Sequence, residues 1–352
     1  MSNEKYLSIF EEIKKKGGSL DDGNPNDKVL IIDGLNTFIR VFSVIPTTND
    51  DGVHVGGMVG FLRSIGYTIN MFRPTRVIIV FDGKGGSTRR RKIYPEYKEN
   101  RKTKYRVNRA YDFASQEDEK QNMIMQLQRI VEYLDNLPVT VMSYDNIEAD
   151  DTIGYLCRQV LTESQITVMS TDKDFLQLAN GRIKIWSPTK KKVYDEQAVF
   201  DEYGISSHNY IWYRVLDGDK SDNIPGVRGL GLKTIQKKLP FLKENKIVNI
   251  NEVITELPES KDVIELNYKL MQLSDVDISG LTKLNPSMFD SDSNKWLVKS
   301  VVDYYYEYKK QPTLEVIKYK IDEIDDGVLK SGVVDKLREV WKNIEATDLE
   351  FV

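Results

Sequence analysis

Nine acidic side chains in this sequence fall at the end of an apolar run or at the start of the helical pattern after it. They are Asp33, Asp82, Glu148, Asp150, Asp151, Asp172, Asp174, Asp219 and Asp222. Three of them crowd into IEADDTIGYLC (147–157), which then turns apolar. Like charges this close repel, and more so beside a buried core, so the cluster calls for cations. Oxygen-only ligands suit hard ions such as Mg²⁺ or Mn²⁺. The two histidines, His54 and His208, stand in no zinc-like spacing, and the single cysteine, Cys157, excludes a thiolate cage and an internal disulfide. Paired divalent ions about 4 Å apart commonly serve phosphoryl transfer, one activating water and the other steadying the leaving oxygen. Any one of these acids could instead cap a helix or sit in a turn. The recurrence of all nine at such places argues for more.

A basic stretch follows Asp82 directly: GKGGSTRRRKIYPEYKENRKTKYRVNR (83–109). It holds Lys84, Arg89, Arg90, Arg91, Lys92, Lys98, Arg101, Lys102, Lys104, Arg106 and Arg109 against only Glu96 and Glu99. Phosphate contacts need such a field, and Tyr94, Tyr97 and Tyr105 could stack on bases. The plain alternative is a solvated basic face. Its position beside the acids favours nucleic acid, because a metal site and a phosphate-binding stretch then share one strand end. IPGVRGLGLKTIQ (224–236) is the second such element. Gly226, Gly229 and Gly231 allow tight turns and close approach, and amides at a helix start, with Lys233 following, could hold a phosphate.

The elements that must position these residues are legible as short β-branched runs. KVLIID ends at Asp33, RVIIVFD at Asp82, PVTVMSY near Tyr144 and ITVMSTD at Asp172, and IKIWS spans 183–187. Helical patterns separate most of them, which predicts an α/β domain with a largely parallel sheet. Ligands in such sheets bind beyond the carboxyl ends of the strands, where these acids fall. From about Ser206 the pattern is helical to the end. Residues 1–18 predict a short amphipathic helix rather than a secretion signal, and GGSLDDGNPND (17–27) a linker. The chain of 352 residues, 40% apolar with a net charge of −4, has no run near the roughly 20 apolar residues of a membrane span. Reducing cytoplasm fits the cysteine count.

Together, IIDGLN (31–36), VFDGKGG (80–86), YPEYKENR (94–101), EADD (148–151), STDKDF (170–175) and GDKSDNIPGVRGLGLKTI (218–235) resemble the flap endonuclease / 5′–3′ exonuclease family. LMQLSDVDI (270–278) and the helix ending VVDYYYEY are similar to the C-terminal part of bacteriophage RNase H enzymes, and the chain length argues against a fused polymerase. The resemblance implies a PIN-like, Rossmann-like sheet flanked by helices, a helix–three-turn–helix element and a helical C-terminal part. The expected organisation is an extension and linker (1–27), a nuclease domain (28–205) with an arch at about 84–112, and a helical DNA-binding domain (206–352).

On the same basis Asp33, Asp82, Glu148 and Asp150 resemble ligands of a first metal, with Asp151 in a shared shell. Asp172, Asp174, Asp219 and Asp222 resemble those of a second. Lys98 and Arg101, with Arg89 or Arg90, match contacts to the scissile phosphate. Arg91, Lys92, Tyr94, Tyr97, Lys102, Lys104, Gly226, Gly229, Gly231 and Lys233 are expected to bind nucleic acid, with K⁺ at the three-turn element. The implied enzyme is a monomeric, Mg²⁺-dependent 5′–3′ exonuclease and flap endonuclease that removes RNA primers from the lagging strand, with flapped DNA and RNA·DNA hybrid as substrates. A single-stranded DNA-binding protein and a sliding clamp, the latter through DLEF (348–351), are the expected protein partners, and a phage origin the expected source. A non-catalytic junction-binding module and a PIN-like single-strand ribonuclease are the rival readings. The first would lack metal acids, and the second would lack the glycine-rich element and the basic arch.

Overall fold

The computed structural model describes residues 25–100, 107–273, 291–308 and 313–346. Expectations for residues 1–24, Arg101, Lys102, Lys104, Tyr105, Arg106 and 348–351 lie outside the described residues. The chain divides into two compact units, Met1–Val276 and Asp277–Val352.

The first unit is built on a six-stranded sheet. In chain order its elements begin β1 (Lys28–Asp33), α1 (Gly34–Phe42), α2 (Gly56–Phe72), β2 (Arg76–Asp82), α3 (Thr88–Ile93), α4 (Gln116–Leu134), β3 (Thr140–Tyr144) and α5 (Ala149–Tyr155). There follow β4 (Gln165–Met169), a 3₁₀ turn (Lys173–Leu178), β5 (Ile183–Ser187), β6 (Lys192–Tyr194), α6 (Glu196–Tyr203), α7 (Tyr210–Asp217), α8 (Leu232–Lys238), α9 (Ile250–Glu256) and α10 (Lys261–Met271). The strand order is β3-β2-β1-β4-β5-β6, parallel throughout except for β6, which pairs antiparallel to β5. The chain winds outward from β1 to β3 and then returns to the other side of β1 with β4. The order therefore reverses between β1 and β4, the place where open parallel sheets form a crevice.

Alternation along the strands fills two cores. Val29, Ile31, Ile78 and Val80 face one layer, with Ile153, Val199, Trp212 and Val215. Leu30, Ile32, Val77 and Ile79 face the other, with Phe38 and Phe42 of α1, Phe61 of α2 and Ile130 of α4. Burial on both faces explains why these strands read as unbroken apolar runs.

Three expectations change. The boundary expected at 205/206 is no break in the packing, because Ile235, Val253 and Ile264 complete the same core as β1 and β2. The strand expected to run into Asp172 ends at Met169, leaving Ser170 and Thr171 as a bridge to that acid. The short strand β6 was not expected at all. His54 is buried as a packing residue, its Nε2 2.7 Å from the Ile45 carbonyl oxygen. Among the described residues no helix is long and apolar enough to cross a membrane. The second unit holds α11 (Asp292–Tyr308), α12 (Leu314–Asp322) and α13 (Gly327–Ala346), which share a small core around Ile317, Ile321 and Val333.

Candidate active site

The sheet delivers its acids to one edge. Asp33 closes β1 and caps α1, its Oδ1 accepting from the Asn36 amide at 3.1 Å and its Oδ2 from the Ser170 hydroxyl at 3.0 Å. Burial pushes its carboxyl up to about 7, against those two hydrogen bonds and with Asp172 and Asp82 adding to the rise. Asp82 closes β2 and accepts from the Ala149 amide at 2.7 Å. It thus caps α5 from a different element, since the residue before that helix, Glu148, makes no side-chain cap. Asp150 lies in the first turn of α5, and burial raises its carboxyl well above the usual range, with Asp172 and Asp33 adding to the effect. Asp172 caps the 3₁₀ turn through the Asp174 amide at 2.8 Å and is likewise raised by burial.

Asp33, Asp82, Asp150, Asp172 and Asp222 line a single cleft of about 300 Å³, together with Lys98, Asn36, Arg40 and Thr171. The other four acids are engaged elsewhere. Glu148 is bound by Arg90 and Lys98 and accepts from the Tyr97 hydroxyl at 3.2 Å. Burial alone would raise its carboxyl, but Arg90 and Lys98 hold it below the ordinary range. Asp151 takes two bonds from Arg90, at 2.7 and 2.9 Å. Asp174 and Asp219 share the buried Arg214, through Nε at 2.5 Å and Nη2 at 2.7 Å. Glu148, Asp151, Asp174 and Asp219, expected as metal ligands, are thus paired with cationic side chains at the margin of the cleft.

The basic stretch divides in the same way. Lys98 reaches the cleft from a backbone at φ 57°, in the left-handed region that non-glycine residues seldom occupy. Its amide donates to the Asp222 carbonyl at 2.8 Å, and Asn223 donates from Nδ2 to the Glu96 carbonyl at 3.0 Å. The near leg of the arch is thereby latched onto the 219–223 loop. Arg90, expected at the scissile phosphate, is instead 3% exposed and directs Nε to the Leu270 carbonyl at 2.7 Å, so it is a buried counter-ion. Tyr97 is likewise not an open stacking platform. Tyr97 is buried, with its hydroxyl between Glu148 and Asp222, and Tyr94 packs against the same small cluster while donating to Glu96 at 2.8 Å. Arg89 and Arg91 are half-buried and Lys92 is exposed, with Arg91 Nε donating to Ser87 at 3.1 Å.

In the glycine-rich element, α7 and α8 flank a turn at 218–231. A Cβ on Gly226 would stand 2.2 Å from the Asp217 carbonyl oxygen, so this glycine serves close packing of the turn on α7. Gly229 has φ 79° and, like Gly231 and Lys233, faces open solvent.

Several site residues escaped the sequence reading. Thr171 donates to Asn36 Oδ1 from both its amide and its hydroxyl, at 3.1 and 2.9 Å, tying the exit of β4 to α1. Asn36 ends the IIDGLN motif, and Ser170 and Thr171 open STDKDF, so those motifs contained them. Arg214 was signalled by being the lone charge in YIWYRVL. Arg40 was signalled equally by being the lone charge in TFIRVF.

The donor set is compatible with hard cations. It is all oxygen, and burial holds Asp33, Asp150 and Asp172 above the ordinary carboxylate range. Among the described residues no three such side chains converge closely enough to cage an ion by themselves. Mg²⁺ needs no cage, because it keeps several waters and takes one or two carboxylates plus substrate phosphate.

The family model for the 5′–3′ exonuclease N-terminal resolvase-like domain matches residues 28–204, the segment that carries the whole sheet and seven of the nine acids. The chain belongs to the 5′–3′ exonuclease family. It is 31% identical over 255 residues to a 5′–3′ exonuclease of Aquifex aeolicus, an alignment spanning 70% of this chain and 82% of that one. It is 29% identical over 255 residues to the flap endonuclease Xni of Shewanella sp. (strain MR-4), spanning 70% and 90%. The bacteriophage T5 flap endonuclease, solved as a pseudo-enzyme–product complex with DNA and metal ions, shares the fold with a TM-score of 0.56 at 20% identity, over 78% of this chain and 98% of that one. As a 5′–3′ exonuclease family member the chain is a nuclease, a hydrolase of phosphodiester bonds.

Proposed function

We propose that this family member is a Mg²⁺-dependent enzyme that removes RNA primers and adjacent short DNA flaps from 5′ ends during lagging-strand replication. The observation that carries this reading is the single cleft where Asp33, Asp82, Asp150, Asp172 and Asp222 meet Lys98 at the foot of the basic stretch. Asp33, Asp82, Asp150, Asp172 and Asp222 would hold the divalent cations, and Mn²⁺ would substitute. Bound there, such cations supply the charge that activates water and stabilises the leaving oxygen. The chain's own part is positional. Lys98, fixed beside the cleft by Glu148, offsets charge at the phosphate. The 219–223 loop holds the near leg of the arch against the acids. The basic stretch draws in the strand electrostatically. The exposed turn at Gly229, Gly231 and Lys233 faces the duplex, and the K⁺ ion expected there rests on the family resemblance alone. Cytoplasmic location, a monomeric state, a phage origin and the two protein partners belong to the same proposal.

The RNA-primer part is tested with two 5′-labelled substrates, an RNA·DNA hybrid and an all-DNA flap, in Mg²⁺, Mn²⁺ and EDTA. The expected result is short 5′ products from both in either metal and none in EDTA. Cleavage of the DNA flap with the hybrid left intact would remove primer degradation from the account.

A further inference from the structure

Asp82 and Leu35 line two hollows. One is the acidic cleft. The other is a groove of about 690 Å³ on the α4 side of Asp82, walled chiefly by Leu35, Phe81, Leu127 and Val131. Among the described residues no cation lines this groove. Its one acid besides Asp82 is Glu132, which is paired with Arg129 at 2.6 Å. Such a lining offers nothing to a phosphate and suits a flat apolar group.

Phe81 makes the groove a built surface. Alternation along β2 turns its ring to the layer of α1, α2 and α4, while the next residue, Asp82, caps α5 in the opposite layer. The ring is backed by the buried Phe61, with centroids 6.3 Å apart and planes 26° from parallel. A Cβ on Gly34 would stand 2.6 Å from it, so the glycine of IIDGLN leaves the space that the ring occupies. Phe81 is only half-buried, and Val131 across the groove is 40% exposed.

The two hollows also differ in which layer they adjoin. Asp222 enters the cleft from the loop that follows α7, and α7 packs in the layer of Trp212 and Val215. The groove belongs to the other layer. A strand held at the turn after α7 and drawn past Asp222, Asp172, Asp33 and Asp82 therefore crosses the sheet edge and meets Phe81 next.

We propose that this groove seats an unpaired base of the strand being removed, stacked on Phe81 between Leu127 and Val131, just beyond the acids. The proposal rests on the nuclease reading above and deepens it. Phe81 is on this account a substrate-contacting residue that grips a base of any sequence, because every base has an apolar face.

The test reads binding in EDTA, and cleavage by the wild type in Mg²⁺ is scored separately, so failure of the nuclease reading is seen apart from failure of this one. Affinity is measured for duplexes with a single-stranded 5′ tail, in which one nucleotide at a time near the junction is made abasic. One abasic position in the tail is expected to weaken wild-type binding roughly fivefold or more, as for a lost stacking contact. In Phe81→Leu and Val131→Glu the intact tail binds correspondingly more weakly, and the same abasic change costs nothing further. Val131 is exposed, so Val131→Glu and the wild-type series decide the matter even if Phe81→Leu does not fold. Equal wild-type affinity for every abasic tail would overturn the proposal, and so would an abasic loss that persists undiminished in the variants. Undiminished tail binding by both variants would leave the groove to a protein partner and also overturn it.

Discussion

Arg90 donates two parallel hydrogen bonds to Asp151, from Nη1 at 2.7 Å and Nη2 at 2.9 Å, and the pair is almost wholly buried. The same guanidinium binds Glu148 and the Leu270 carbonyl, so it joins α3, α5 and α10. Removing one partner of such a group leaves uncompensated buried charge. Arg90→Ala is therefore expected to cost about 3–5 kcal/mol of stability. Arg90→Lys recovers little, because a lysine cannot form the fork. Urea unfolding of the three proteins measures this, and a loss below about 1 kcal/mol in Arg90→Ala would contradict the assignment.

Asp33 carries a carboxyl that burial pushes up to about 7 from an ordinary 3.8. Between those two values the folded chain keeps protons that the unfolded chain has released. Stability without divalent metal therefore declines as pH rises from about 4 through about 7. A cation that takes the proton's place stabilises most where the carboxyls would otherwise be charged. Millimolar Mg²⁺ is thus expected to raise Tm more at about pH 8 than at about pH 5. Thermal melts in EDTA and in Mg²⁺ check both signs. A Tm that climbs with pH in EDTA, or that ignores Mg²⁺ at about pH 8, would contradict this reading of the cleft.

Gly226 and Gly231 belong to the same turn but differ in surroundings. A Cβ at Gly226 would meet the Asp217 carbonyl oxygen at 2.2 Å, whereas at Gly231 it meets open space. Gly226→Ala should cost about 1–3 kcal/mol and weaken duplex binding through distortion of the turn. Gly231→Ala should leave stability within about 0.5 kcal/mol of the wild type. Equal effects in the two variants would show that packing on α7 is not what Gly226 provides.

The strands were legible because burial on both faces leaves no polar interruption in runs such as VLII and VIIV. That legibility failed at β4, where the run continues into Ser170 and Thr171, side chains that leave the sheet to hold Asp33 and Asn36. The convergence of the acids was legible for the same reason as the strands, since a parallel sheet brings its carboxyl ends to one edge. Which acids stay open was not. Asp150 and Asp151 are adjacent and chemically alike, and only the fold-back of the 84–98 segment decides that Arg90 engages one and not the other. A basic run read as an arch gave no sign that its second arginine, Arg90, turns inward. Arg214 shows the converse, a charge in an apolar helix whose partners, Asp174 and Asp219, lie 40 and 5 residues away in sequence.

The most direct test of the central claim sets Asp150→Asn beside Asp151→Asn on a 5′-labelled flap in Mg²⁺, with binding and urea unfolding measured on the same samples. The account predicts that Asp150→Asn abolishes release of 5′ products while binding and stability are kept, because it removes a desolvated carboxylate from the cleft. It predicts that Asp151→Asn loses stability, because Arg90 loses the charge of one of its two carboxylate partners. Full cleavage by Asp150→Asn, or tight flap binding by the wild type with no cleavage in Mg²⁺ or Mn²⁺, would contradict it.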